Sequence, residues 1–272
     1  MSANTPQIPR DDLASAPDAW AELRQYTAAR IALGRAGQSL PSHEVLKFGM
    51  AHAQARDAIH TPLDCDLLCA ALQQDGWDTL IAQSQAHDRT EYLLRPDLGR
   101  RLALDTILPA RGEYDLGVVI GDGLSSLAVQ RHAAPLLQAL NVMLNPDYRL
   151  APIVVATQAR VALADEVAER LGVRLVVMLI GERPGLSSPD SLGIYLSYAP
   201  RVGMHDAERN CISNVRPEGL DYPAAAFKLH WLIEQALGRQ LTGVDLKDES
   251  DLSLNILSDK IKSPVRIEPS QG

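Results

Sequence analysis

The chain has 272 residues, a net charge of −8 and 22% charged residues, which is ordinary usage for a globular protein. The negative charge disfavours nucleic acid as a partner, because a phosphate backbone would be repelled. Aromatic residues make up only 4% of the chain, which favours Ala- and Leu-rich helices over an all-β sandwich. No run of about 18 apolar residues occurs, so we expect no membrane span. The polar N-terminus predicts a cytoplasmic protein.

Residues 1–112 predict an N-terminal helical arm or cap. Apolar residues recur at helical spacing over 19–33. A second helix is expected over 41–56, where Ser42 is a suitable N-cap and Glu44 falls in the first turn. A third is expected over 62–73.

Residues 113–242 predict an α/β domain. Short apolar strands alternate with helices, which is typical of a parallel sheet covered on both faces. We therefore expect a Rossmann-like, mostly parallel sheet with helices on both faces, with strands at 115–121, 152–157, 174–181 and 192–198 and a closing helix at 222–239. Residues 243–272 are polar and charged and predict a C-terminal tail.

Ligands of such sheets bind at the carboxyl ends of the strands. That rule selects the loops at 121–125, 157–161, 181–191 and 199–214. The first begins Gly121-Asp122-Gly123, like a dinucleotide fingerprint, but Ser126 replaces the third glycine. It is therefore either a ligand contact or a tight turn with a serine cap.

The segment Gly181-Glu182-Arg183-Pro184-Gly185 follows the most apolar strand. Glu182 is suited to accept hydrogen bonds from a ligand, and Arg183 to meet a phosphate or another chain. The alternative is a turn whose charges face water. This loop is the most informative of the four.

The sequence contains no clear motif for a disulfide framework, a metal site or a catalytic nucleophile. The cysteines Cys65, Cys69 and Cys211 do not form a disulfide framework in a chain of this size. No His or Cys spacing fits a zinc site, so we expect no protein-ligated metal. A nucleophilic Cys211 would need a histidine base, and spacing alone does not place the nearby His205 in that role. A packing or contact role for Cys211 is therefore favoured over that of a nucleophile.

Several strings in series resemble the small (light) subunit of ethanolamine ammonia-lyase. The similarity extends over roughly residues 20–240 in the right order. It is carried by Arg95-Pro96-Asp97-Leu98-Gly99-Arg100-Arg101, Asp122-Gly123-Leu124-Ser125, Leu179-Ile180-Gly181-Glu182-Arg183-Pro184-Gly185, Cys211-Ile212-Ser213-Asn214 and an early segment at 27–37.

The resemblance implies a lyase complex that uses adenosylcobalamin and radical chemistry to convert ethanolamine into acetaldehyde and ammonia. A large subunit would carry the substrate pocket in a (β/α)₈ barrel, several large–small pairs would assemble, and this chain would be inactive alone. Matching positions imply cobalamin contacts at Val161, Glu182 and Cys211, with no catalytic residue on this chain. Asp-x-His-x-x-Gly is absent, in keeping with the base-on cobalamin binding that the family implies. A bacterial microcompartment is the alternative location.

Two other functions stay open from the sequence. One is a free-standing Rossmann-like enzyme with a nucleotide cofactor, against which the missing third glycine counts. The other is a non-catalytic assembly subunit whose loops contact another chain. Cobalamin binding in the presence of the large subunit distinguishes the three.

Overall fold

The computed structural model describes residues 20–27 and 29–251. The described residues divide into two compact units. One comprises the residues through Asp57 together with Gly185–Ser188, and the other comprises Ala58–Pro184 and the residues from Pro189 onward. The second unit contains the whole sheet and every predicted cofactor contact.

The sheet has six strands in the order β1-β3-β2-β4-β5-β6. The first four in that order run parallel to one another, β5 is antiparallel to β4, and β6 is antiparallel to β5. The strands are β1 (Thr79–Gln83), β2 (Tyr114–Gly121), β3 (Ile153–Thr157), β4 (Val173–Gly181), β5 (Leu192–Tyr198) and β6 (Asn210–Val215).

Within the described residues, six α-helices accompany the sheet. Local capping explains several of their starts: the side chains of Asp64, Asp88, Ser125 and Asp221 each accept from a backbone N–H in the first turn that follows. The helices are α1 (Ser42–His60), α2 (Cys65–Gln74), α3 (Arg89–Leu94), α4 (Ser126–Asn141), α5 (Leu163–Leu171) and α6 (Tyr222–Arg239).

Two hydrophobic cores lie on opposite faces of the sheet, and β4 contributes side chains to both. Leu175, Val177 and Leu179 pack with α2, α4 and α6, whereas Val176 and Met178 pack with α5. This period of two explains why the strand reads as one continuous apolar run. Each such fully buried side chain contributes roughly 1.5–3 kcal/mol through its removal from water.

The predicted α/β fold with a mostly parallel sheet and helices on both faces is confirmed. The four expected strands are present, as is the expected closing helix, which is α6. Two strands were not expected. β1 lies within the region predicted as a helical arm. β6 begins at Asn210, so the prediction of a loop over 199–214 is wrong from that residue onward.

The helix predicted over 19–33 is wrong where the structure describes it. Only a 3₁₀ helix, Ala21–Gln25, forms there. The Arg24 guanidinium donates to the Ile31 carbonyl, so the chain turns back on itself instead of continuing. Ala32 and Gly34 then take positive φ values, which an α-helix does not allow. The helices expected over 41–56 and 62–73 correspond to α1 and α2.

The segment predicted as a polar tail is packed as far as the structure describes it. Leu246 is buried, and the Asn210 amide donates to the Gly243 and Leu246 carbonyls. Lys228 of α6 pairs with Asp248 and Asp251. Residues 252–272, the remainder of that prediction, lie outside the described residues.

A buried ion pair joins the β5–β6 connection to α5. Arg209 donates through both terminal nitrogens to the Asp165 carboxylate, at 2.6 and 2.7 Å, and also to the Ser197 hydroxyl and the Met204 carbonyl. Both charged side chains are almost fully buried. Removing one partner would therefore leave an uncompensated charge inside the protein.

We expect Arg209→Met to lower the free energy of unfolding by roughly 3–5 kcal/mol, because Asp165 would stay buried without its cation. Urea denaturation measures this. The matched control is Arg201→Gln, which breaks the exposed Arg201–Glu208 pair and should cost at most about 1 kcal/mol. Equal losses in the two variants would contradict a structural role for the buried pair.

Candidate functional site

The turn after β2 is held by structural hydrogen bonds. The Asp122 carboxylate is buried and accepts from the backbone N–H groups of Gln158 and Ala159, at 2.9 Å each. Burial raises the pKa of Asp122, although these N–H groups and the charge of Arg89 oppose the shift. Ser125 caps α4 through the Ala128 N–H. These bonds favour the tight, serine-capped turn over a ligand contact at 121–125.

Glu182 is the first residue after β4, and its carboxylate is held in place. Oε2 accepts a short hydrogen bond from the Ser191 hydroxyl and another from the Asn214 N–H at 3.3 Å. The Glu182 N–H in turn donates to the Ser191 carbonyl at 2.9 Å. The carboxylate is therefore oriented by residues at the start of β5 and the end of β6.

The other carboxylate oxygen, Oε1, lies over Gly193 of β5. A Cβ built on Gly193 would come within 3.0 Å of Oε1 and 3.1 Å of Glu182 Cγ. The glycine thus leaves the room that the carboxylate occupies. Oε1 accepts no hydrogen bond from residues 20–27 and 29–251, so it is available to accept one from a ligand.

Cys211 lies inside β6, and not in a loop as predicted. Because β5 is antiparallel to β4, the connection at 199–209 lies at the end of the sheet where β4 begins, whereas Glu182 lies where β4 ends. The rule that ligands bind at the carboxyl ends of parallel strands therefore does not apply to this connection. Cys211 pairs with Tyr195 across the β5–β6 ladder. Its exposed thiol lies 3.4 Å from the Ser213 hydroxyl.

Tyr195 connects the three predicted contact positions. Tyr195 and Val161 both pack against the core on the α5 face of the sheet, and both line one cleft of about 340 Å³. Tyr195 pairs with Cys211 on β6. It also lies two residues after Gly193, the glycine over which the Glu182 carboxylate lies. Val161, Glu182 and Cys211 thus surround one part of the β5–β6 surface. Tyr195 is half-buried there, whereas Cys211 and Ser213 are exposed.

The Tyr195 phenol stays protonated at neutral pH. The pKa of Tyr195 is raised to about 12, mainly by burial and to a smaller extent by its interactions with Cys211. The surface presents the Tyr195 phenol, the Cys211 sulfur and the Glu182 carboxylate side by side. Such a set offers a ligand apolar contact together with an oriented hydrogen-bond acceptor.

Three residues of this site were not predicted from the sequence: Ser191, Gly193 and Tyr195. Gly193 gave the clearest signal, since a glycine inside a strand often marks close approach of another group. Tyr195 alternates with Ile194 and Leu196, which places it on the opposite face of β5. Nothing local to Ser191 indicates that it holds Glu182.

The segment between Glu182 and β5 is anchored by Asp190. Its carboxylate accepts from Arg131 at 2.8 Å, lies 3.0 Å from Arg216 and is 3.5 Å from His132. Burial acts to raise the pKa of Asp190, but the Arg131 hydrogen bond and the charges of Arg216 and His132 outweigh it and lower that pKa. The neighbouring Ser191 is thereby fixed beneath Glu182.

The described part of the chain has neither a helix suited to span a membrane nor a side-chain cluster suited to a metal ion. None of its helices combines the length and apolar character needed to cross a membrane. Nor does it contain a cluster of three or more His, Cys, Asp or Glu side chains arranged to hold a metal ion.

Comparison with known proteins decides the family. The family model described as "Ethanolamine ammonia-lyase light chain (EutC)" matches residues 17–247. The chain belongs to this family. The resemblance carried by the strings around Glu182 and Cys211 is therefore confirmed.

Individual relatives agree over most of their length. Ethanolamine ammonia-lyase small subunits of Azotobacter vinelandii and Ralstonia nicotianae are each 55% identical to this chain, over 242 and 243 residues. That of Xanthomonas campestris pv. campestris is 54% identical over 245 residues. These alignments cover 86–87% of the chain and 90% of each relative.

We expect Asp190→Asn to lower the free energy of unfolding by roughly 1–3 kcal/mol at pH 7, because Arg131 and Arg216 lose the carboxylate that they share. The folded-state pKa of Asp190 is lowered, so the stabilisation is complete above the unfolded value of about 3.9 and is lost as pH falls through the folded value. Urea denaturation at pH 7, 5, 4 and 3 should show the difference from wild type shrinking below about pH 4.

The control for this series is Asp147→Asn, at an exposed aspartate whose side chain makes no hydrogen bond to the described residues. It should change stability by less than about 0.5 kcal/mol at every pH. A loss for Asp190→Asn that stays constant from pH 7 to 3 would contradict an ionic role for Asp190.

Proposed function

We propose that this chain is the cobalamin-binding small subunit of an ethanolamine ammonia-lyase complex, and that Val161, Glu182 and Cys211 contact the cofactor. The single observation that carries the proposal is the convergence of these three positions around Tyr195 on one partly uncovered surface of β5 and β6. They derive from three separate stretches of chain. Membership of the ethanolamine ammonia-lyase family supports cobalamin as the ligand.

The residues present suit a corrin. Cobalamin carries amide side chains around an apolar ring, and its cobalt is held by the ring nitrogens. The unused Oε1 of Glu182 is suited to accept from an amide N–H, and a hydrogen bond to a charged group contributes about 1.5–3 kcal/mol. Val161 offers apolar contact, and the exposed Cys211 offers a small polarisable one.

The chain's part in the reaction is to bind and orient. When bound, adenosylcobalamin supplies the radical chemistry, and the protein supplies position and shielding. Ser191 and Asn214 fix the Glu182 carboxylate before any ligand arrives, so little conformational freedom is lost on binding. The protonated Tyr195 adds no charge beneath the ligand. We assign no catalytic group to this chain.

A large subunit completes the proposed complex and carries the substrate pocket. The relatives' name, "small subunit", supports such a partner. Helix α1 supports it as well, because its large apolar side chains are exposed: Val45, Leu46, Phe48 and Met50. Exposed apolar groups of this kind often mark protein interfaces. We propose that this surface contacts the large subunit, and that the active protein is an assembly of large–small pairs.

We expect Glu182→Gln to weaken binding of cyanocobalamin by the assembled complex about tenfold or more, because the amide is a poorer acceptor than the carboxylate and one charge-assisted hydrogen bond contributes at least about 1.4 kcal/mol. Absorbance titration of the complex measures this. Cys211→Arg should weaken binding further by filling the surface with a long side chain.

The matched control is Glu113→Gln, an exposed glutamate just before β2, at the opposite edge of the sheet, which should bind like wild type. The chain alone should release no ammonia from ethanolamine. Unchanged cobalamin affinity in both site variants would refute the assignment of the site. Activity of the isolated chain would refute the proposed division of labour between subunits.

A further inference from the structure

The cleft lined by Val161 and Tyr195 continues beyond the proposed corrin contacts. Its other charged lining residues are Asp97, Arg100, Arg160 and Asp206. The cleft has a volume of about 340 Å³ and lies beside the surface that we assign to cobalamin. Its charged groups are therefore placed to meet a part of the same ligand.

Neither arginine of the cleft has a carboxylate partner among the described residues. Arg100 is exposed, and its guanidinium makes no hydrogen bond or ion pair to residues 20–27 and 29–251. Arg160 is half-buried with its guanidinium 4.2 Å from the Tyr92 ring centre, and Nη2 donates to the Tyr92 carbonyl at 3.3 Å. Its Nε is buried and lacks a partner. Stacking thus fixes Arg160 with donor capacity unused.

Neither carboxylate of the cleft forms an ion pair with Arg100 or Arg160. Arg95 donates to both oxygens of Asp97, at 2.7 and 3.0 Å. Asp206 is largely exposed, and its nearest cation is Arg209 at 3.7 Å. Arg100 and Arg160 are consequently the cations of the cleft whose guanidinium donors are not used up, which suits them to an anion with several acceptor oxygens.

We propose that this cleft binds the phosphodiester of the nucleotide loop of cobalamin, through Arg100 and Arg160. The inference rests on the proposed function and extends it from the corrin to the tail. The phosphodiester is the one anionic group of cobalamin, since its peripheral side chains are neutral amides. Val161 and Tyr195 belong to both surfaces and make them continuous.

The test compares cyanocobalamin with dicyanocobinamide, a corrinoid that lacks the nucleotide loop and its phosphodiester, on the assembled complex with the large subunit. Arg100→Gln should weaken cyanocobalamin binding about tenfold, the effect of one charge-assisted contact, and leave cobinamide binding unchanged. Arg100 is exposed, so this variant is expected to fold. Arg160→Gln should behave likewise, and Arg160→Lys should recover part of the affinity by keeping the charge.

Arg239→Gln is the matched control, since Arg239 ends α6, which packs with the other core of the sheet. Equal losses of affinity for both corrinoids in Arg100→Gln, or no loss for either, would overturn the phosphodiester site. A wild-type complex that binds neither corrinoid would overturn the proposed function instead. A wild-type complex that binds both equally well would leave the corrin contacts standing and overturn the phosphodiester site.

Discussion

The reversal of strand direction at β5 is the constraint on which the site depends. β4 and β6 run the same way with β5 antiparallel between them, so the start of β5 and the end of β6 meet at the carboxyl end of β4. This arrangement brings Ser191 and the Asn214 N–H to the Glu182 carboxylate. It also sets Cys211 beside Tyr195. A fully parallel strand order would have separated these groups.

The sequence predicted the strands and helices whose apolar pattern is strong. β4 is a continuous apolar run because its side chains pack into two cores, one on each face of the sheet. The start of α4 is indicated by Ser125, which is a favourable N-cap residue. β6 was missed because only Ile212 and Val215 face the core, while Cys211 and Ser213 are exposed. A register shift opposite Leu192 and Ile194 disrupts its alternation further. Such edge strands are specified by their neighbours rather than by their own pattern.

The site was predictable in part. Glu182 and Val161 follow strands of the parallel portion, where the rule of carboxyl ends holds. Cys211 was assigned through family resemblance, and its placement in a strand needed the antiparallel pairing of β5. Gly193 offered a local signal as a glycine inside a strand, whereas the roles of Ser191 and Arg100 depend on segments that are distant in the sequence, which no local pattern encodes. The negative charge of the whole chain likewise gives no indication of two unpaired arginines in one cleft.

The most direct measurement of the central claim uses the exposed thiol of Cys211. In the assembled complex, the rate of iodoacetamide alkylation at Cys211 is followed by mass spectrometry of its peptide, with and without saturating cyanocobalamin. We predict that cyanocobalamin slows alkylation of Cys211 at least tenfold, because the ligand would cover the β5–β6 surface. Cys211 alkylated at the same rate in both samples, with cobalamin demonstrably bound, would contradict the placement of the cofactor on this surface.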